Sequence, residues 1–480
     1  MFFNPEYIIL SVIGSIIVAF MSLSSRQPLT LKQLKGSRFL PFKIRRHEGT
    51  YDETTESRVR SITELAEYHE TAARLANMIH KDGAGTWPPR AEHAPSYWPP
   101  ALRPFRDIYD EMAPLLPSAT PSLDDDVNRE RIAYFRSRLW NLLNDKVNLQ
   151  EVTALLAAAE AGRWDVFPRD VYNAFYVCVA WCRHAYRWGT IPAVRVAQVE
   201  KTIVLPPELI STWASLQRHF GLDSDSGNMM SCLILNFSPS GEYALKINTG
   251  LSPIITSSEE EFARICNEME ALAVPIYHDI VRATISFAHG DKSACLEHVQ
   301  GITSQLRPLL SSYYDRVHDS KIARSAWLSH VQGFFAWGAG YENESSGDWE
   351  KFDGLSGNQV LLFQALDAFL GLEVYLPKQV LLRNVPQLQR EFSEAVGRHS
   401  FRHRLGNEGV EGRIKAEFGE IVKRLRVFRS AHRTRAKIYL TVPAPERLPM
   451  TAGKSLLKDN MDDSLEFLDE FMVLRLQQTV

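Results

Sequence analysis

His432 is the residue whose type and position most need a chemical reason. It stands four residues after Phe428 in a stripe running Ile414, Phe418, Ile421, Leu425, Phe428 and on to Ala436 and Tyr439. Spacings of three and four put these side chains on one helical face, which must be buried. Arg413, Lys415, Lys423, Arg424, Arg426, Arg429, Arg433, Arg435 and Lys437 crowd the other faces. Two chemistries suit an imidazole in such a place. One is a core histidine hydrogen-bonded to a carbonyl. The other is an axial ligand to haem iron, with nearby cations neutralising the propionates.

Other chemistry-bearing patterns are weaker. His399 and His403 are spaced to share a helix face, as in a two-histidine metal site. Arg398, Arg402 and Arg404 surround them, so a solvated basic surface is the better reading. The run Glu259-Glu260-Glu261 after Ser257-Ser258 reads as a capped, dipole-compensated first turn. There is no GxGxxG after a strand, no GxxxxGK[ST], no HExxH and no GxSxG. The five cysteines, Cys178, Cys182, Cys232, Cys266 and Cys295, form no CxxC pair and fit buried thiols in a reducing compartment. A net charge of −3 argues against a dedicated nucleic-acid binder.

The elements that must position these residues are mostly helical. At 480 residues the chain can bury a large core in two or three domains. Helical periodicity is expected over residues 61–80, 105–116, 129–143, 147–161, 170–189 and 207–220. It returns over 259–274, 275–289, 292–315, 321–337, 360–372 and 414–439, with a short amphipathic helix at 465–476. TWPPRAEHAPSYWPP, residues 86–100, reads as a surface loop stapled by Trp87 and Trp98. Cys232–Phe237 reads as a short strand. Residues 338–359 form a long polar loop, of the kind that is usually functional or disordered. It leads into the apolar helix that holds Asp367.

The N-terminus is different in kind. Between Glu6 and Arg26 lie 19 uncharged, mostly apolar residues, just enough to span a hydrocarbon core of about 30 Å. The stretch has no basic n-region and no good cleavage site, which disfavours a signal peptide. Arg26, Lys32, Lys35 and Arg38 follow it, and the positive-inside rule then places the body on the cytosolic side. The expectation is a single-pass endomembrane anchor, with a buried core helix as its alternative.

Three separated pieces together resemble the indoleamine 2,3-dioxygenase family. Phe428-Arg429-Ser430-Ala431-His432 is similar to its R-S-x-H proximal haem segment. Gly354-Leu355-Ser356-Gly357-Asn358-Gln359, with Phe363 to Gly371 behind it, resembles the G-x-S-A-G-Q loop and the D-x-x-L-G helix. Ala185-Tyr186-Arg187-Trp188-Gly189, with Leu205-Pro206-Pro207 later, resembles the small-domain segment. Their order and separation agree with the family over roughly residues 60–440.

The resemblance implies an all-α, two-domain haem-dioxygenase architecture, here with an N-terminal transmembrane helix. The expected boundaries are 1–25 for the anchor and 26–222 for the tether and small helical domain. The large haem-binding domain spans 223–445 and the tail 446–480. It implies haem b, with His432 as proximal ligand to the iron and Arg429 and Asp367 as a pair beside the porphyrin. Asp367 is otherwise a lone acid that would be costly to bury. Arg429 could also touch a propionate. Ser356 and Gly357 would line the distal face as the catalytic positions. Phe262, Cys266, Trp327, Leu328 and Gln332 would form the substrate pocket. The implied reaction joins molecular oxygen to the C2=C3 bond of an indole, and an electron donor keeps the iron ferrous.

The chain also departs from the family. Gln332 stands where the family has an arginine that clamps the substrate carboxylate, so an uncharged or larger indole compound is expected rather than free tryptophan. Cys266 replaces a serine, Val360-Leu361 alter the loop, and Gly371-Leu372 runs almost at once into Tyr375-Leu376-Pro377. Other readings stay open: a haem sensor or carrier without turnover, a different haem-dependent oxidation, or a membrane-tethered helical interaction module.

Overall fold

In a computed structural model of the chain, the described residues are 53–82, 87, 90–343, 347–374, 376–439, 444–458 and 461–480. The apolar stretch 7–25, most of the tether after it and Tyr375 lie outside them. Among the described residues no helix is long and apolar enough to cross a membrane. Residues His47–Val480 group as one compact unit. It is mostly helical, as expected; among the described residues the strands are Gly340–Glu342 and Trp349–Lys351, antiparallel with Gly340 opposite Lys351.

The helix Arg169–Trp188 is buried on every side from Val171 onward. Most of its faces are apolar, and the buried Asn173, Arg183, His184 and Arg187 are hydrogen-bonded, which suits the centre of a large protein rather than its surface. It ends at Gly189, whose φ of +66° is a left-handed cap. A Cβ there would come within 3.1 Å of Ile132, on the helix Asp125–Lys146. Around this axis pack Arg103–Met112, Asp125–Lys146 and Pro207–Phe220. The proline- and tryptophan-rich connection is a stapled loop. Trp87 and Trp98 are buried, and Trp98 Nε1 donates to the Glu92 carbonyl at 2.8 Å.

Three expectations are corrected. The first helix, expected over 61–80, is two helices, Glu53–Leu65 and Glu70–Lys81. His69 separates them because its Nδ1 accepts from Thr71 N at 3.2 Å and caps the second. Cys232–Phe237 is no strand: Met230–Ile234 forms one wide helical turn, fully buried. A short apolar run reads alike for a strand and a buried helical turn, so periodicity could not separate them. The third correction concerns Pro275, which interrupts but does not end a helix of 36 residues, Pro253–Ala288. A proline forfeits one backbone hydrogen bond and kinks the chain. Here Ala273, Val274, Ile276 and Tyr277 are buried on both sides of it, and that shared packing keeps the two halves in one element.

This long helix forms an antiparallel pair with Lys292–Arg316, turning at Gly290, and Asp291 caps the second member through Ala294 N at 3.0 Å. The His432 helix, Gly409–Ile438, lies along Lys292–Arg316. It buries Ile414, Phe418, Ile421, Val422, Leu425 and Phe428, the expected stripe. A last helix, Met461–Gln478, packs on it in turn. The expected tail is thus an 18-residue helix docked on the rest of the unit.

Candidate functional site

His432 continues the buried stripe but not its fate. Its ring is reached by solvent, yet it lies deep enough that burial lowers its pKa and keeps the imidazole neutral. Phe428 and Tyr313 flank it, with ring centroids 6.1 and 6.0 Å away. Among the described residues nothing hydrogen-bonds it. The contrast with true core histidines is direct. His93 bonds the Leu235 carbonyl at 2.7 Å, His184 the Phe334 carbonyl at 2.7 Å and His330 the Ser118 carbonyl at 3.2 Å. The carbonyl partner that a core role demands is missing at His432 alone of these four.

Next to it the buried acid finds its cation. Asp367, on the helix Leu361–Phe369, takes both oxygens to Arg429 Nη2 at 2.8 Å. Phe363, on the same helix, stacks on Phe428 with centroids 5.0 Å apart. Arg475 of the last helix also bonds Asp367, and Thr479 accepts from Arg429. The other cations near His432 are engaged as well. Arg433 and Lys437 pair with Asp469 at 2.5 and 2.9 Å, and Arg435 donates to the carbonyls of Tyr314 and Val317 at 2.9 and 3.0 Å.

The expected distal residues come from two helical stretches and one loop. Phe262 meets Trp327 with ring centroids 4.2 Å apart, and Phe335 lies 5.9 Å from Phe262. Cys266, one turn beyond Phe262, is buried, and burial with the nearby Glu270 pushes its thiol up to about 12. It is a small neutral wall rather than a nucleophile. Leu328 and Gln332 border a narrow cavity closed on its other side by Arg447, Met450, Leu465 and Leu468. The guanidinium of Arg447 donates to Gln332 Oε1 at 3.1 Å.

The loop holding Ser356 and Gly357 is fixed by backbone contact. Leu355 N donates to the Phe335 carbonyl at 3.1 Å. A Cβ on Gly354 would lie 2.0 Å from that same oxygen, so only glycine allows the approach. Gln359 locks the far end, accepting from Met229 N at 3.0 Å and donating to the Gly354 carbonyl at 3.1 Å. Ser356 Oγ accepts from Asn358 N at 3.4 Å and Asn358 Nδ2 at 3.1 Å, so its own O–H proton remains to be given. A Cβ on Gly357 would meet nothing within 4 Å, which leaves its backbone facing open space.

The central helix explains why the Ala185–Gly189 segment belongs to the constellation. His184 Nε2 accepts from Gly227 N at 3.0 Å, which fixes its tautomer so that Nδ1–H donates to Phe334. Burial lowers this histidine to about 4, so the arrangement holds across the physiological range. Trp188 Nε1 donates to the Phe334 and Ala336 carbonyls at 3.2 and 3.1 Å, and Arg187 Nε to the Trp337 carbonyl at 2.9 Å. These residues clamp the segment just after Gln332 and so hold the distal wall.

Four further contributors were not expected from the sequence. Tyr313 lies with its ring 6.0 Å from that of His432 and near enough to Cys266 to interact with it electrostatically. Glu270, wholly buried, accepts from Tyr277 at 2.6 Å and from Leu362 N at 3.2 Å, anchoring the start of the Asp367 helix. Arg447 and Arg475 come from the expected tail. Only Glu270 had a legible signal: like Asp367, it is an acid on the buried side of an amphipathic helix. His399 and His403 hold no metal arrangement; His399 bonds Glu70 at 3.0 Å, and among the described residues no cluster could bind a metal ion through three such side chains.

The donor set fits haem. A neutral imidazole without a hydrogen bond among the described residues stands beside the Phe428 and Tyr313 rings, free to serve as an iron ligand. In the loop of Ser356 a glycine backbone opens on free space. The cations are nearby but already paired, so neutralisation of propionates would be shared with Asp367 and Asp469. A family model described as indoleamine 2,3-dioxygenase matches residues 169–466, which include every expected site residue; Leu468, Asp469, Arg475 and Thr479 of the last helix lie beyond it. No curated protein matches the chain.

Proposed function

The chain belongs to the indoleamine 2,3-dioxygenase family, and from that premise we propose that it adds molecular oxygen across the indole C2=C3 bond of a tryptophan-derived substrate. As a family member it is a haem-dependent oxidoreductase whose cofactor is haem b. Bound haem supplies the iron that binds and activates oxygen. The chain supplies position, a dry pocket and the axial ligand. His432 would hold the iron through its neutral imidazole. The Asp367–Arg429 pair fixes the helix that carries it. Phe262, Trp327 and Leu328 would receive the indole, and the Ser356 O–H and the Gly357 backbone would offer the distal hydrogen bond.

The observation that carries this reading is the His432 imidazole, which is reached by solvent and has no hydrogen bond among the described residues, whereas the buried His93, His184 and His330 each have a carbonyl partner. Purified protein supplemented with haem is expected to give a Soret band, and His432→Ala to lose it while keeping its helical circular dichroism. A full Soret band in that variant would remove His432 from the iron. One observation favours haem binding without turnover: the last helix leaves room for about one water in the cavity beside Leu328 and Gln332. Ferrous protein given oxygen and an indole panel separates the two, through kynurenine-type absorbance and a mass gain of two oxygen atoms.

The stretch 7–25 supports a single-pass anchor with the catalytic body on the cytosolic side of an endomembrane, where a membrane-bound reductase could serve as electron donor. Carbonate extraction of membranes followed by protease protection tests it: release by carbonate, or protection of the body, counts against the anchor.

A further inference from the structure

Glu270 is a wholly buried acid that no cation balances. It is 0% exposed. The groups that face it are the Tyr277 hydroxyl and the Cys266 thiol from its own helix, Pro253–Ala288, and the N–H groups of Leu361 and Leu362 from the Asp367 helix. Among the described residues no arginine, lysine or histidine on the other helices packed there sets a charge against it. Keeping such an acid costs stability, and its contacts show what it does. Val360 stands at the start of the helix Leu361–Phe369 and offers no side-chain cap. Glu270 fills that place from another helix, accepting from Leu362 N at 3.2 Å while the Tyr277 hydroxyl donates to it at 2.6 Å. A carboxylate there satisfies free N–H groups and faces the positive end of the helix dipole.

The capped helix leads to the axial ligand in short steps. It carries Phe363, stacked on Phe428 with centroids 5.0 Å apart, and Asp367, bonded to Arg429 at 2.8 Å. Phe428 and Arg429 stand one turn before His432 on the helix Gly409–Ile438. We propose that Glu270 is a positioning residue for the iron's axial ligand: ionised, it holds the Asp367 helix firmly, and through Phe363 and Asp367 it holds the turn that presents His432. A proton on the carboxyl removes the charge from the cap, whose hydrogen bonds are then roughly half as strong, and the turn is held less firmly. Burial raises the acid to about 7 despite those bonds, so both states are populated near neutrality. This rests on the haem dioxygenase reading above.

Resonance Raman spectra of the haem-loaded full chain, ferrous and free of oxygen, read the iron–histidine stretching frequency. That frequency is expected to fall as pH is lowered through about 7. Glu270→Gln keeps a neutral acceptor and should hold the low value at every pH. Glu270→Met offers no acceptor of that kind and should lower the frequency further. Tyr277→Phe keeps the ring but removes a bond to the charged form, so the midpoint should move to higher pH. A Glu270 that only packs would change the melting temperature of these variants and leave the frequency in place. A frequency that does not respond to pH in the unmodified protein overturns the inference. So does a pH dependence that survives in Glu270→Gln, or an unshifted midpoint in Tyr277→Phe. Should Glu270→Met misfold, these other two variants decide alone. Absence of any Soret band in the unmodified protein, or a full one in His432→Ala, instead sinks the reading on which the inference rests.

Discussion

At the scale of single residues, the site is built from polar groups whose burial is compensated to different degrees. Asp367 is fully compensated: it is 8% exposed and gives both oxygens to Arg429. Removing one partner of such a pair leaves a buried charge and costs roughly 3–5 kcal/mol, more than replacing the whole pair by apolar groups. Asp367→Ala is therefore expected to lower stability by that order in denaturant unfolding. The Asp367→Leu/Arg429→Met double variant should lose less than the sum of its single changes. Additive losses would mean that the two side chains are not coupled. His432 is the undercompensated one, a neutral imidazole without a hydrogen bond among the described residues. Asp367 was legible in the sequence as an acid needing a cation, and Arg429 as the nearest one. Arg475 was not, since it lies 108 residues away in the chain and no local pattern points to it.

At the scale of elements, the last helix decides how open the site is. Its docking depends on Asp469, which pairs with Arg433 and Lys437 on the His432 helix. The Arg433 hydrogen bond, with Lys437 adding, holds the Asp469 carboxyl down at about 2. A depressed carboxylate stabilises the docked state above its free value of about 4 and loses that contribution as pH falls toward 2. Asp469→Asn should reproduce the low-pH state at neutral pH. Faster amide exchange confined to residues 461–478, with quicker ligand entry, is the expected result; unchanged exchange there would show that apolar packing alone docks the helix. Periodicity located this helix, because its apolar residues repeat locally. It could not tell what the helix covers, since Leu465 and Leu468 meet Leu328 and Gln332 only in the folded chain.

At the scale of the whole molecule, buried acids make stability depend on pH. Burial pushes Glu270 up to about 7, despite hydrogen bonds from Tyr277 and the Leu362 backbone. The folded state then holds a proton that the unfolded chain has released by about pH 4.5. Stability contributed by this group is complete below that pH and falls as pH rises to about 7, by up to about 3 kcal/mol. Glu270→Gln removes the dependence, so its advantage over the unmodified protein should grow between pH 4.5 and 7. A constant difference in melting temperature across that range would show that Glu270 does not titrate there. Glu259, also raised by burial, adds the same sign in both proteins and cancels in the comparison.

The sequence by itself determined the helical class, most of the helix limits and the place of His432, because each is written in residues three and four apart. It also carried the family constellation, whose pieces are contiguous in the chain. It misread Met230–Ile234 and the passage through Pro275 because burial, not local preference, chose their conformation. Only the tertiary structure brought Arg447 to Gln332, 115 residues away, and laid the last helix over the cavity. Such contacts follow from which surfaces are left to bury once the helices exist, and no periodic pattern records them.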